Sequence, residues 1–261
     1  MGALRGHFSF FTMLRIDIDE DDMEAMDASF HLAPLVGLLY GLISGFGILI
    51  LEHFVGIVPA VAAVLLAMHL FNRFLHMDGL MDVGDGLVVS GGLEDHLRAL
   101  KDSRIGAGGV AFAFFVSLLT FSGLISLPLL WIPLIPLSIE ILSRNSMVAT
   151  AAFGRPGDGM AGRSVRLTGG GTLAKSTLIS LLLAILAGGA FFLAGDYLGL
   201  SLPSVRTALI ALAVGLVTSI VIGWILARVA HRNFGIVNGD MLGASNELSR
   251  ALTLLAIIAV I

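Results

Sequence analysis

A short stretch, His76-Met77-Asp78-Gly79-Leu80-Met81-Asp82-Val83-Gly84-Asp85-Gly86, places three carboxylates directly after a long apolar run. On a helix, Asp78, Asp82 and Asp85 stand at i, i+4 and i+7 and share one face. Three like charges on one stripe repel each other, and a bound divalent cation removes that repulsion. Hard carboxylate oxygens suit Mg²⁺ or Mn²⁺, so these three aspartates are the candidate metal ligands. The glycines between them let a backbone or a substrate phosphate come close. A solvated acidic turn is the plainer reading, and it explains one aspartate better than three on one face.

Other reactive side chains lie in polar segments further along. The segment 76–106 also carries Lys101-Asp102-Ser103-Arg104-Ile105-Gly106. The segment 153–172 holds Arg155, Asp158, Arg163, Arg166 and Gly169-Gly170-Gly171, and Asp240 and Glu247 follow near the end. Clustered carboxylates with arginines and glycine-rich loops suit phosphoryl transfer, where cations neutralise phosphate oxygens as negative charge builds. Arg104, Arg144 or Arg163 would bind those oxygens bidentately, and one carboxylate, Asp82 or Asp85, would take a proton from an attacking hydroxyl. Asp102, Asp240 and Glu247 are further candidates for substrate or metal contacts. There is no P-loop. With no cysteine in the chain, thiolate chemistry and disulfides are excluded.

The elements that must position these groups are membrane helices. Of 261 residues, 57% are hydrophobic and 13% charged, with a mean hydropathy of +0.97, far too apolar for a soluble domain. Apolar runs of roughly 20 residues, the length that crosses a bilayer as helix, recur at about 32–51, 59–75, 107–127, 129–152, 173–194 and 207–227. A seventh run, about 251–261, is short unless it starts near Gly243 and accepts Glu247 and Arg250. The expected fold is therefore all-α: one polytopic membrane bundle of 6–7 spans covering 1–261, with 1–29 an interfacial or cytoplasmic segment. Its acidic run, Asp17 to Asp27, reads as a solvated loop. Gly37, Gly41, Ser44 and Gly45 form a small-residue face suited to close helix packing. Glu140 and Arg144, inside the fourth run, must face the bundle interior. Lys and Arg concentrate in the N-terminus and in the 76–106, 153–172 and 228–247 segments, while 52–58 and 195–205 have none. The positive-inside rule puts the four motif-bearing segments together on the cytoplasmic side of the cell membrane.

The motif at 76–86, the Lys101–Gly106 motif and Gly239-Asp240-Met241-Leu242-Gly243-Ala244-Ser245-Asn246-Glu247 resemble the signatures of the cobalamin 5'-phosphate synthase family, also called adenosylcobinamide-GDP ribazoletransferases. The resemblance covers nearly the whole chain in order. It departs at Thr12-Met13-Leu14-Arg15, which lacks the family's proline. It implies a Mg²⁺-dependent reaction that joins adenosylcobinamide-GDP to α-ribazole or its 5'-phosphate and releases GMP. The implied partners are those two substrates and the lipid bilayer, without nucleic acid; the sequence is compatible with a homo-oligomer and leaves the oligomeric state open. Two other readings compete. A CDP-alcohol phosphotransferase shares an Asp-x-x-x-Asp pair but needs an Asp-Gly-x-x-Ala-Arg segment upstream that this chain lacks. An ion-coupled transporter would use Glu140 and Arg144 at mid-depth, but the carboxylates cluster outside the spans.

Overall fold

The computed structural model describes residues 1–157 and 159–261; Asp158, noted in the 153–172 segment, lies outside the described residues. The described residues form twelve α-helices and one isolated bridge, Pro156 to Val237. The all-helical membrane bundle expected from the composition is the observed architecture.

The first two helices, α1 (Gly2–Phe11) and α2 (Glu20–Ala28), pack against each other at one end of the bundle. The acidic run expected as a loop is mostly α2. Asp19 caps it by accepting a hydrogen bond from the Asp22 amide at 2.9 Å, and Glu20, Asp21 and Asp22 fill its first turn. Carboxylates there face the positive end of the helix dipole, so local electrostatics favour helix over loop.

Helix α3 (Ala33–Val55) begins at Pro34 and lays its small-residue face on α8 (Ile135–Phe153). A Cβ added at Gly37 would lie 2.5 Å from the Glu140 carbonyl oxygen, so only glycine allows this approach. Helix α4 (Ile57–Phe71) returns along α3 and breaks at Asn72-Arg73-Phe74. Arg73 and Phe74 adopt left-handed φ of 55° and 57°, and α5 (Leu75–Val88) leaves at 90°. The Arg73 guanidinium donates to the Phe10 carbonyl at 3.0 Å, where the carbonyl end of α1 favours a cation. Helix α6 (Leu93–Leu100) is short and amphipathic.

The remaining long helices alternate in direction: α7 (Ala107–Ser126), α8, α10 (Gly170–Tyr197), α11 (Val205–Asn233) and α12 (Gly239–Ile258), with the short α9 (Met160–Leu167) between α8 and α10. Every residue of α8 from Ile135 to Ala151 is buried, with α3, α10, α11 and α12 around it. That position explains the span count. Four helices are long and apolar enough to cross a membrane on their own, namely Phe30–Val55, Ala107–Ile125, Gly170–Tyr197 and Val205–Asn233, and the pair α4 and α5 adds a fifth only if the two, bent by 90°, count as one broken span. The 6–7 spans expected from apolar runs included α8 and α12. Both have a spanning length, but they carry polar residues into the bundle, and a helix sheathed by protein need not be apolar all round. The short seventh run is the end of α12, which starts at Gly239 and is 20 residues long, about 30 Å of helix.

The alternation leaves the N-terminal pair, α5, α6, the 101–106 loop, α9 and the start of α12 at one end. All Lys and Arg outside the bundle core lie at that end except Arg206.

A candidate active site where the aspartate helix meets the last helix

The motif at 76–86 is helical, as its spacing predicts, and Asp78, Asp82 and Asp85 rise along α5. Its glycines serve backbone contact. A Cβ on Gly79 would lie 2.8 Å from both the Cα and the carbonyl oxygen of Asp240, so α5 touches the first turn of α12 and brings Asp240 beside the aspartate stripe. Asn238 caps α12, accepting from the Met241 amide at 3.2 Å, and its amide donates to the Asp240 carboxylate at 2.7 Å. Asp82 sits half-buried among these groups. Burial, then the charges of Asp240, Asp78 and Asp85, push its carboxyl up to about 7. Gly79→Ala is therefore expected to force α5 and α12 apart, lowering the melting temperature and weakening divalent-cation binding together. Unchanged cation affinity by calorimetry would show that the contact at Gly79 does not position the site.

Asp85 has a different task from the other two. Its carboxylate oxygens accept the backbone amides of Gly106 at 2.7 Å and Gly109 at 2.8 Å. It thus holds the N-terminus of α7, where free amides and the helix dipole favour an anion. Asp85→Asn keeps only one acceptor oxygen and is expected to cost about 1–2 kcal/mol in thermal unfolding, with the affinity for Mg²⁺ changed far less than by Asp82→Asn. Among the described residues no group of three or more His, Asp and Glu side chains stands close enough together to hold a metal ion directly; the aspartates converge on one place without forming a closed cage.

The candidate phosphate binders separate into three environments. Arg104 is exposed and grips Asp102 in its own loop, Nη2 to Oδ2 at 2.8 Å and Nε to Oδ1 at 3.1 Å. Those bonds hold the Asp102 carboxyl down at about 2. The pair stands on the loop that Asp85 anchors but does not touch the aspartates. Arg163, on α9, pairs with Glu24 at 2.8 Å and reaches Asp27 at 3.8 Å, while Ser164 donates to Asp27. These contacts tie α9 to α2. Between α1, α2, α5, α9 and the start of α12 lies a cleft of about 300 Å³, with Asp78 and Asp240 on one wall and Asp27 and Ser164 on another. A wider outer cleft of about 640 Å³ shares Asp27 and Met160 and includes Glu24 and Arg163.

Arg144 and Glu247, expected to meet substrate, are instead fully buried. Arg144 donates to Asn246 and lies 4.9 Å from the centre of the Tyr40 ring. Glu247 pairs with Arg250, which also binds Glu140 through Nε at 2.5 Å and Nη2 at 3.1 Å. The correction has a simple physical reason. Glu247 and Arg250 are one turn apart on the α12 face that packs on α8, so charges that look juxtamembrane in sequence face each other inside the bundle. Sequence reasoning missed Arg250, Asn246 and Tyr40 as members of this network. Its signal was the polar repeat Asn246, Glu247, Arg250 at helical spacing, opposite Glu140 and Arg144.

Comparisons with known proteins identify the family. The family description cobalamin-5-phosphate synthase matches residues 3–258. An adenosylcobinamide-GDP ribazoletransferase of Methanosarcina barkeri is 31% identical over 99% of this chain and 92% of its own length. Proteins of that name from Halorubrum lacusprofundi and Methanopyrus kandleri are 33% and 31% identical, covering 97% and 94% of this chain and 95% and 92% of their own. No solved structure matches the chain. With a match that runs almost end to end and takes in the aspartate helix, the anchored loop and the last helix, the chain belongs to the cobalamin-5-phosphate synthase family.

Proposed function

We propose that the protein joins adenosylcobinamide-GDP to α-ribazole or its 5'-phosphate and releases GMP, at the cytoplasmic end of a cell-membrane bundle. The observation that carries this reading is the packing of α5 on the first turn of α12 at Gly79, which puts Asp78 and Asp240 on one cleft and brings both charges to bear on Asp82, in a chain of this family. Family membership sets aside the CDP-alcohol phosphotransferase and transporter readings. The distribution of Lys and Arg, nearly all at the site's end, supports the cytoplasmic side.

The chemistry follows from the groups present. A ribazole hydroxyl attacks the phosphorus on the cobinamide side of the pyrophosphate; the bond to the GMP oxygen breaks, and the hydroxyl proton passes to a carboxylate. Of the two base candidates, Asp82 keeps its oxygens free while Asp85 uses its oxygens on α7. Asp78, Asp82 and Asp240 would hold Mg²⁺, with water or phosphate completing its shell: their donor set is all hard oxygen, and the charges of Asp240, Asp78 and Asp85 add to burial in raising the Asp82 carboxyl, a repulsion that a cation would relieve. When bound, Mg²⁺ neutralises charge on the pyrophosphate. Arg104 would exchange Asp102 for pyrophosphate oxygens, and Arg163 would exchange Glu24 for the 5'-phosphate of the ribazole phosphate, a geometry the planar guanidinium suits.

The test is purified protein in liposomes with both substrates. Cobalamin product should form with Mg²⁺ and vanish with chelator; GMP release without cobalamin, or equal turnover under chelator, would refute the proposal. A pH test addresses the cation directly. Asp82 has a folded pKa raised from 3.8 to about 7. The stability contributed by its protonated form is present below the unfolded value and lost as pH rises through about 7. Mg²⁺ competes with that proton, so its effect on the melting temperature is expected to be small at pH 5.5 and to grow through pH 8. An Mg²⁺ shift independent of pH would argue against Asp82 as a ligand.

A further inference from the structure

The cleft of about 300 Å³ between the N-terminal helix pair and α5 has a flat, apolar wall. Phe11 and Phe30 line it, and His7 stacks on both, at ring distances of 6.0 Å with 19° between planes and 6.3 Å with 8°. Met26 and Leu242 complete the apolar surface, and no Lys or Arg lines the cleft. Asp78, Asp240 and His76 also line it, and among the described residues the buried Nε2 of His76 has no partner.

Resting on the reaction above, we propose that this cleft is the subsite for the ring base of α-ribazole, with the ribose directed toward Asp78 and Asp240. Size comes first. The volume is at the low end for a small-molecule pocket; it admits a nucleoside and excludes a corrin macrocycle. Charge comes second. The charged side chains that line it, Asp27, Asp78 and Asp240, are all negative and repel a pyrophosphate, whereas a neutral aromatic base buries apolar surface against the Phe and Met side chains. Polar reading comes third. Asp27 is already taken by the Ser164 hydroxyl and faced by Arg163, which leaves Asp78 and Asp240 to accept from ribose hydroxyls. A ribose hydroxyl also supplies the partner that His76 Nε2 lacks. The corrin and the GMP half then approach from the other side of the aspartates.

The chain has no cysteine, which makes a direct test clean. Met160→Cys puts one thiol on the exposed rim of the cleft, and Ile105→Cys puts one on the exposed 101–106 loop. In liposomes with Mg²⁺, saturating α-ribazole is expected to slow maleimide labelling of M160C by about tenfold and leave I105C unchanged, and GMP is expected to protect neither. Unchanged labelling of M160C, or protection by GMP in place of α-ribazole, overturns the assignment. Ala161→Phe fills the cleft and gives a kinetic arm. Provided it melts like the wild type, its KM for α-ribazole should rise about tenfold while the KM for adenosylcobinamide-GDP stays within about twofold; an equal rise in both overturns the subsite. Protection reads binding without turnover. An M160C protein that is protected but forms no cobalamin therefore refutes the reaction, and one that turns over without protection refutes only the subsite.

Discussion

Asp82→Asn is expected to lower cobalamin formation by about a thousandfold, roughly 4 kcal/mol of transition-state stabilisation. Asp82 is the residue on which the charges of Asp240, Asp78 and Asp85 all act. The amide keeps the volume and most of the packing but removes one negative charge and one metal-competent oxygen. Melting in the absence of Mg²⁺ should therefore hold or rise, because a repelled carboxylate has gone, while the stabilisation by Mg²⁺ collapses. That opposite movement separates a ligand from a structural residue. More than a tenth of wild-type turnover in the variant would remove Asp82 from the mechanism.

The second large effect lies in the bundle core. Arg250→Met leaves Glu140 and Glu247 facing each other in a dry interior without their shared cation. Breaking a buried ion pair in this way costs about 3–5 kcal/mol, and in lipid the charges have no water to retreat to. The expected result is strong loss of thermal stability or of folded protein in the membrane. The triple variant Glu140→Gln, Glu247→Gln, Arg250→Met removes all three charges and should recover much of that loss, since the penalty comes from unpaired charge. If the single variant melts within a few degrees of wild type, the network does not hold α12 to α8. The same network explains why Arg144 is no phosphate ligand. Its guanidinium is fully buried beside Tyr40 and Asn246 and does not line the cleft.

Some of the site was legible before any fold was known. The helical register of Asp78, Asp82 and Asp85 depends only on local spacing, and so does the small-residue face of α3. Asp240 was noticed as a candidate, but its place beside Asp82 was not readable, because it depends on Gly79 letting α12 approach across about 160 residues of chain. Asp85 looked equivalent to its neighbours. Its difference comes from α7, whose first amides happen to end beside it. The acidic run at 17–27 was read as a loop because its composition is polar, whereas a cap at Asp19 and packing against α1 make it a helix.

By itself the sequence determined the membrane class, the helical character, the clustering of the charges in a few segments, the aspartate stripe and the family, since composition, periodicity and motif are properties of neighbouring residues. Only the tertiary structure decided which carboxylates meet, which arginines stay at the surface, and how α12 carries Glu247 and Arg250 inside. The physical reason is that a charge is placed by what packs against its helix. A 90° turn after α4 and the antiparallel pairing of α12 on α8 bring together groups that no local pattern links.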